Sequence, residues 1–164
     1  MLPYTLPSQT RIGHIHLKVS DLERSLGFYR DILGFEVMQR YGSQAVFISA
    51  GGYHHHIGLN TWYSKNASPA PQKSCGLFHT AILCPTRKDF AIAYQRLITA
   101  NYPITGSADH GVSEAIYLDD PDMNGVELYW DKPKDQWPFD AEGNLVMKTE
   151  FLDLKLLIEN ELSE

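Results

Sequence analysis

A strand, a helix and three further strands occur in that order twice along this chain, and two copies of one such unit leave few folds open. The first copy opens on Ile12–Phe35. There Ile12, His14, His16 and Lys18 alternate with Gly13, Ile15, Leu17 and Val19, the pattern of a strand with one histidine-bearing face. Ser20 and Glu23 fit an S-x-x-E capping box. The helix this predicts carries Leu22, Leu26, Tyr29, Ile32 and Leu33 at helical spacing, and Gly34 stands where a glycine ends such a helix. FEVMQRYG and QAVFISAGG read as strands joined near Gly42-Ser43. After a Gly51-Gly52 turn, Tyr53–Trp62 reads as a fourth strand.

Residues 63–75 are rich in Ser, Pro, Ala and Lys, a linker composition. The pattern then restarts. Leu77–Cys84 is a strand bearing His79, and Thr86 with Asp89 resembles an N-cap pair. Phe90, Tyr94, Leu97 and Ile98 mark a helical face. Tyr102-Pro103-Ile104 begins a strand, and GSADHG reads as a polar turn or loop. Ser113–Leu118 and Gly125–Trp130 are strands around a DDPDMNG turn. The expected organisation is an arm over residues 1–10, a domain over 11–131 built from modules 11–62 and 76–131, and an extension over 132–164. In that extension Thr149 could cap a last helix with Leu152, Leu156 and Leu157 on its apolar side. The fold class this implies is α+β.

Charge and composition exclude some partners. A net charge of −6 argues against nucleic acid or an anionic membrane. No apolar run reaches transmembrane length, and Met1–Gln9 is too short and proline-punctuated for a secretory leader, so a cytoplasmic protein is expected. Cys75 and Cys84 form no C-x-x-C pair and read as free thiols.

Three residues stand out as a candidate metal set. A lone histidine near a strand start is more often structural than a ligand. Glu127 is more pointed: alternation places it opposite Val126 and Leu128, where a carboxylate either faces solvent or needs compensation. Taken together, His14 at the start of module one, His79 at the matching place in module two and Glu127 in the last strand form a 2-His-1-carboxylate set. That set leaves coordination positions open and suits Fe(II), with Mn(II), Zn(II) and Ni(II) as rivals.

The segments GHIHLKVSDLERSLGFYRDILGF, GLFHTAIL and YLDDPDMNGVELYW resemble the vicinal-oxygen-chelate superfamily of glyoxalases, bleomycin-resistance proteins and extradiol dioxygenases. The resemblance implies two paired βαβββ modules forming a curved mixed sheet around a metal cleft, with His14, His79 and Glu127 as ligands and His16 lining the cleft. The chain looks most like the catechol-2,3-dioxygenase branch. That likeness implies O2-dependent cleavage of an aromatic diol in a homodimer. His55 of the HHH run would be the acid–base residue, on a strand where His54 and His56 share the other side. Tyr117, ten residues before Glu127, and His110 in DHGVSEAIYL would touch substrate or ligand. The alternatives are a glyoxalase- or epimerase-like lyase or isomerase, a thiol transferase, and a small-molecule-sequestering resistance protein.

Overall fold

A computed structural model describes residues 3–163. The first module forms a four-stranded mixed sheet. Its strands are β1 (Ile15–Lys18), β2 (Glu36–Tyr41), β3 (Ala45–Ser49) and β4 (Ile57–Asn60), in the order β1-β4-β3-β2. The second module repeats this with β5 (Thr80–Leu83), β6 (Gly106–Asp109), β7 (Ser113–Asp119) and β8 (Gly125–Asp131), in the order β5-β8-β7-β6. In each sheet the first and last strands pair parallel, which needs the helical crossover between them.

The two registers superpose residue by residue. Ile15 lies opposite Ile57, and Thr80 opposite Val126. His14 and His79 therefore stand at equivalent positions, one residue before their strands. Phe47 lies opposite Gly58, and Tyr117 opposite Glu127. The first module thus has Gly58 where the second has Glu127, and Phe47 where the second has Tyr117. The sequence repeat is a structural one.

Helix α1 (Leu22–Leu26) continues as a π-helical turn over Gly27–Ile32, and α2 (Arg87–Thr99) fills the matching place. Their apolar sides bury Leu22, Leu26, Phe28, Tyr29, Phe90 and Leu97 against Val46, Ile48 and Leu59 of one sheet and Ile116, Leu118, Val126 and Leu128 of the other. These residues form one core. The opposite sheet faces, bearing His16 and Phe47 in one module and Tyr117 and Glu127 in the other, are only partly covered.

Polar contacts lock the modules together. Tyr29 donates to Asp120 at 3.0 Å, both side chains being buried. The Ser20 N–H and the Arg24 guanidinium donate to Asp122. Arg96 of α2 donates to the carbonyls of Asp31 and Ile32. Helix α3 (Leu154–Leu162) packs on α2 and buries Leu157 in the common core.

Several local expectations need correction. The N-cap of α1 is Asp21, which accepts from the Arg24 N–H, because the Ser20 N–H is taken by Asp122 and its hydroxyl by Arg24. Gly34 does end the helix, at φ 92. Gly51 and Gly52 both have positive φ and turn the chain so that 53–56 is loop; β4 starts only at Ile57, so strand alternation does not order His54, His55 and His56. Gly106–Asp109 of GSADHG is strand β6, made so by pairing with β7. Asp153, not Thr149, caps α3, and Leu156 is exposed, as is Ile98 on α2. Thr86 caps α2 through the Asp89 N–H as expected. Cys75 and Cys84 are free. Among the described residues no helix is long and apolar enough to cross a membrane.

Candidate metal centre

Hairpin register builds the second module's half of the site. With Leu118 opposite Val126 and Tyr117 opposite Glu127, a tight turn between β7 and β8 sets Tyr117 and Glu127 side by side on one face. Asp120 shapes that turn by accepting the N–H groups of Asp122 and Asn124, and Met123 takes a positive φ of 64 there. Gly125 lets β8 run close to the chain at His79: a Cβ there would collide with the Phe78 carbonyl and lie 3.1 Å from the His79 Cβ. The result is a 2.9 Å contact between His79 Nε2 and Glu127 Oε2.

From Glu127 a chain of polar contacts runs outward. Tyr117 Oη lies 3.2 Å from Glu127 Oε1 and 2.7 Å from His110 Nε2. The other ring nitrogen of His110, Nδ1, lies 2.8 Å from the Lys148 carbonyl. Burial, together with the neighbouring Glu127 charge, pushes the Tyr117 phenol up to about 12. A cavity of about 400 Å³ opens beside this row, lined by Phe78, His79, Thr105, Tyr117 and Val126.

The first module's histidines form a separate group. His14 packs on His55 with ring centroids 4.4 Å apart, and His55 packs on Phe47 at 5.0 Å. His54 Nδ1 and His55 Nδ1 are 2.8 Å apart, while His56 faces back to Ser49. Burial and the neighbouring His14 hold the His55 and His16 imidazoles below their ordinary value. The His16 ring lies over Gly58, where a Cβ would come within 2.8 Å of it.

Of the three candidate ligands, the chain brings His79 and Glu127 together and keeps His14 with His55 in the other module. Among the described residues no three His, Cys, Asp or Glu side chains are grouped closely enough to hold a metal ion. The donor pair present does fit one. Two donors at adjacent octahedral positions, with bonds of about 2.1 Å, stand about 3 Å apart, close to the 2.9 Å between His79 and Glu127. Among the described residues His79 Nδ1 is buried without a hydrogen-bond partner, and Glu127 is the only polar group that holds this ring.

Sequence reasoning singled out His110 and Tyr117 and missed three participants. Gly58 and Phe47 emerge only when the two registers are aligned. Lys148 lies 38 residues from His110 and contributes a backbone carbonyl, which no side-chain pattern signals.

Comparison with known proteins bears on this arrangement. The profile described as Glyoxalase/Bleomycin resistance protein/Dioxygenase superfamily matches residues 11–128. A catechol-2,3-dioxygenase of Bacillus subtilis (strain 168) is 42% identical over 156 residues, covering 94% of this chain and 53% of that protein. Biphenyl-2,3-diol 1,2-dioxygenase 3 of Rhodococcus globerulus is 30% identical, covering 74% of this chain and 63% of that protein. The chain thus spans about half to under two thirds of the length of these relatives. The crystal structure of a lactoylglutathione lyase from Agrobacterium tumefaciens superposes with a TM-score of 0.58 at 21% identity, over 76% of this chain and 96% of that one; at that identity the likeness is one of fold.

Proposed function

Because the chain belongs to the Glyoxalase/Bleomycin resistance protein/Dioxygenase superfamily, we propose that it is an extradiol-type dioxygenase, cleaving the ring of a catechol-like diol beside its hydroxyl-bearing carbons. Fe(II) is the metal of this reading, and His14, His79 and Glu127 its ligands. The observation that carries it is Gly58. The position equivalent to Glu127 in the first module has no side chain and is filled by the His16 ring. On this reading the ligand set is two imidazoles and one carboxylate, which would leave positions open for a diol and O2. A second carboxylate at the metal, as a glyoxalase- or epimerase-like site would use, has no place at Gly58. The kinship with two named diol dioxygenases supports the same chemistry.

A divalent ion held there would accept both diol oxygens as a chelate and would supply the positive charge that acidifies the hydroxyls. The remaining work falls to side chains. His79 and Glu127 supply ligands from one module, and His14 supplies the third where the open face of the first module meets the second module of another copy. His55, held below its ordinary pKa, is neutral at pH 7 and takes or returns a proton. Tyr117 is protonated over the working pH range, and its one phenol proton, resting on His110, would turn to a developing oxyanion. The apolar wall of Phe78 and Val126 shapes the aromatic pocket. A homodimer belongs to this reading: β2 is an exposed edge strand along its whole length and needs cover.

The test is metal analysis of anaerobically purified protein, followed by oxygen uptake with a panel of catechols. About one iron per chain and catechol-dependent uptake with a yellow product are expected. Metal without uptake overturns the dioxygenase assignment. Failure to bind Fe(II) or Mn(II) removes the metal reading altogether.

A further inference from the structure

One of the site's side chains is held by chain outside both modules. After β8 the chain leaves through the 3-10 turn Lys134–Gln136, pairs Phe139 with Leu145 around a turn capped by Asp140, and returns along the end of β6. Glu150 and Asp109 exchange both backbone hydrogen bonds, at 2.9 and 3.0 Å, and the Lys148 N–H donates to the His110 carbonyl at 3.1 Å. Gly111 has a φ of 79, and a Cβ there would lie 3.1 Å from Pro138 and 3.2 Å from Lys148, so the returning segment packs directly on it. Lys132 and the Gly111 N–H both bond Asp109, which fixes the corner.

The consequence is a matter of counting protons. The Lys148 carbonyl can only accept, so His110 Nδ1, 2.8 Å away, carries a hydrogen. In a neutral imidazole Nε2 is then a bare acceptor. It lies 2.7 Å from Tyr117 Oη, so the phenol donates to it. Tyr117 has one proton and a second acceptor, Glu127 Oε1, at 3.2 Å. The shorter contact takes the proton, and the Oε1 lone pair is left to other partners. In the opposite tautomer Nε2–H would donate to Tyr117, and the phenol proton would turn onto Glu127.

We propose that the C-terminal segment, through the Lys148 carbonyl, is a positioning element that locks His110 as the Nδ1–H tautomer and so points the Tyr117 hydroxyl away from Glu127. The catalytic meaning of this rests on the proposed function; the tautomer itself does not. Residue 148 acts through its backbone, and His110 and Tyr117 relay the effect to the carboxylate.

The test is two-bond 15N–1H NMR of the histidine rings in the full-length protein, above the imidazole titration range, with the His110 signal assigned by its loss in His110→Gln. The expected pattern is Nδ1–H for His110 in the wild type and unchanged in Lys148→Ala, which keeps the carbonyl. Gly111→Ala, which pushes the segment away, is expected to show Nε2–H or a mixture. An Nε2–H wild type overturns the proposal without reference to any variant, as does loss of the Nδ1–H pattern in Lys148→Ala or its full retention in a folded Gly111→Ala. Oxygen uptake by a protein whose His110 is Nε2–H would sink this inference and leave the dioxygenase reading standing. An Nδ1–H ring in a protein without metal would do the reverse.

Discussion

Removing one hydroxyl, in Tyr29→Phe, tests how the two modules are held in register. Tyr29 and Asp120 are 1% and 2% exposed, and the 3.0 Å bond between them joins the first module's helix to the turn that sets Tyr117 opposite Glu127. A hydrogen bond to a charged group contributes about 1.5–3 kcal/mol. Asp120 keeps three other donors, the N–H groups of Asp122 and Asn124 and the Asn124 amide, so its carboxylate is not orphaned. The expected loss is therefore at the lower end, about 1.5–2 kcal/mol at pH 7, or about 3–8 °C in Tm for a domain of this size.

The pH dependence of that loss is the sharper part. Burial raises the folded pKa of Asp120, and the Tyr29 bond is one of the contacts that pull it back down. Phenylalanine raises it further. A group whose folded pKa lies above its unfolded value contributes stability when protonated and loses that contribution as pH rises through the folded pKa. The variant protonates Asp120 at a higher pH than the wild type, so it recovers first on acidification and the gap narrows. Urea unfolding of both proteins over a pH series measures this, and the difference cancels carboxylates common to both. A gap under about 0.5 kcal/mol at pH 7, too small for a bond to a charged group, or one that widens toward acid, would refute the reasoning.

Other outcomes follow from the site and its supports. Glu127→Ala and His14→Ala lose bound metal, read by elemental analysis, whereas His55→Ala keeps it and loses turnover by about 100-fold or more; metal loss in His55→Ala would show that ligand and base were exchanged. The acid limb of kcat/KM against pH falls below the ordinary imidazole value of about 6.5, because burial and His14 depress His55, and Tyr117, pushed up to about 12, sets no limb in the neutral range. Gly125→Ala weakens metal binding without altering any ligand, since its Cβ displaces the chain at Phe78-His79; equal metal affinity by competition titration would contradict this. Arg87→Ala leaves the buried Glu114 without its guanidinium and frees Glu161 of α3, a loss of about 2–4 kcal/mol in urea unfolding.

Periodicity and local capping chemistry were legible from the chain alone. The doubled strand–helix–three-strand order needs only the alternation of apolar residues, and both sheets carry it. Thr86 with Asp89 and Gly34 work as read, because their partners lie within one turn. Tyr117 and Glu127 meet because a hairpin converts a spacing of ten residues into adjacency. Each of these is a short-range relation, and short-range relations are written in the order of residues.

What the tertiary structure decided was every competition between local and distant partners. Ser20 has the capping pattern, but Asp122, 102 residues away, takes its N–H, and Asp21 caps instead. GSAD has the composition of a loop, yet β7 offers a ladder and makes it a strand. Residues 148–150 are occupied along β6 and His110, so Asp153 rather than Thr149 caps α3. Three histidines in a row carry no orientation until Gly51 and Gly52 turn the chain, and His14 and His79, equivalent in pattern, are brought to different neighbours. A donor satisfies only as many acceptors as it has protons, and which acceptor arrives first is settled by packing of the whole chain.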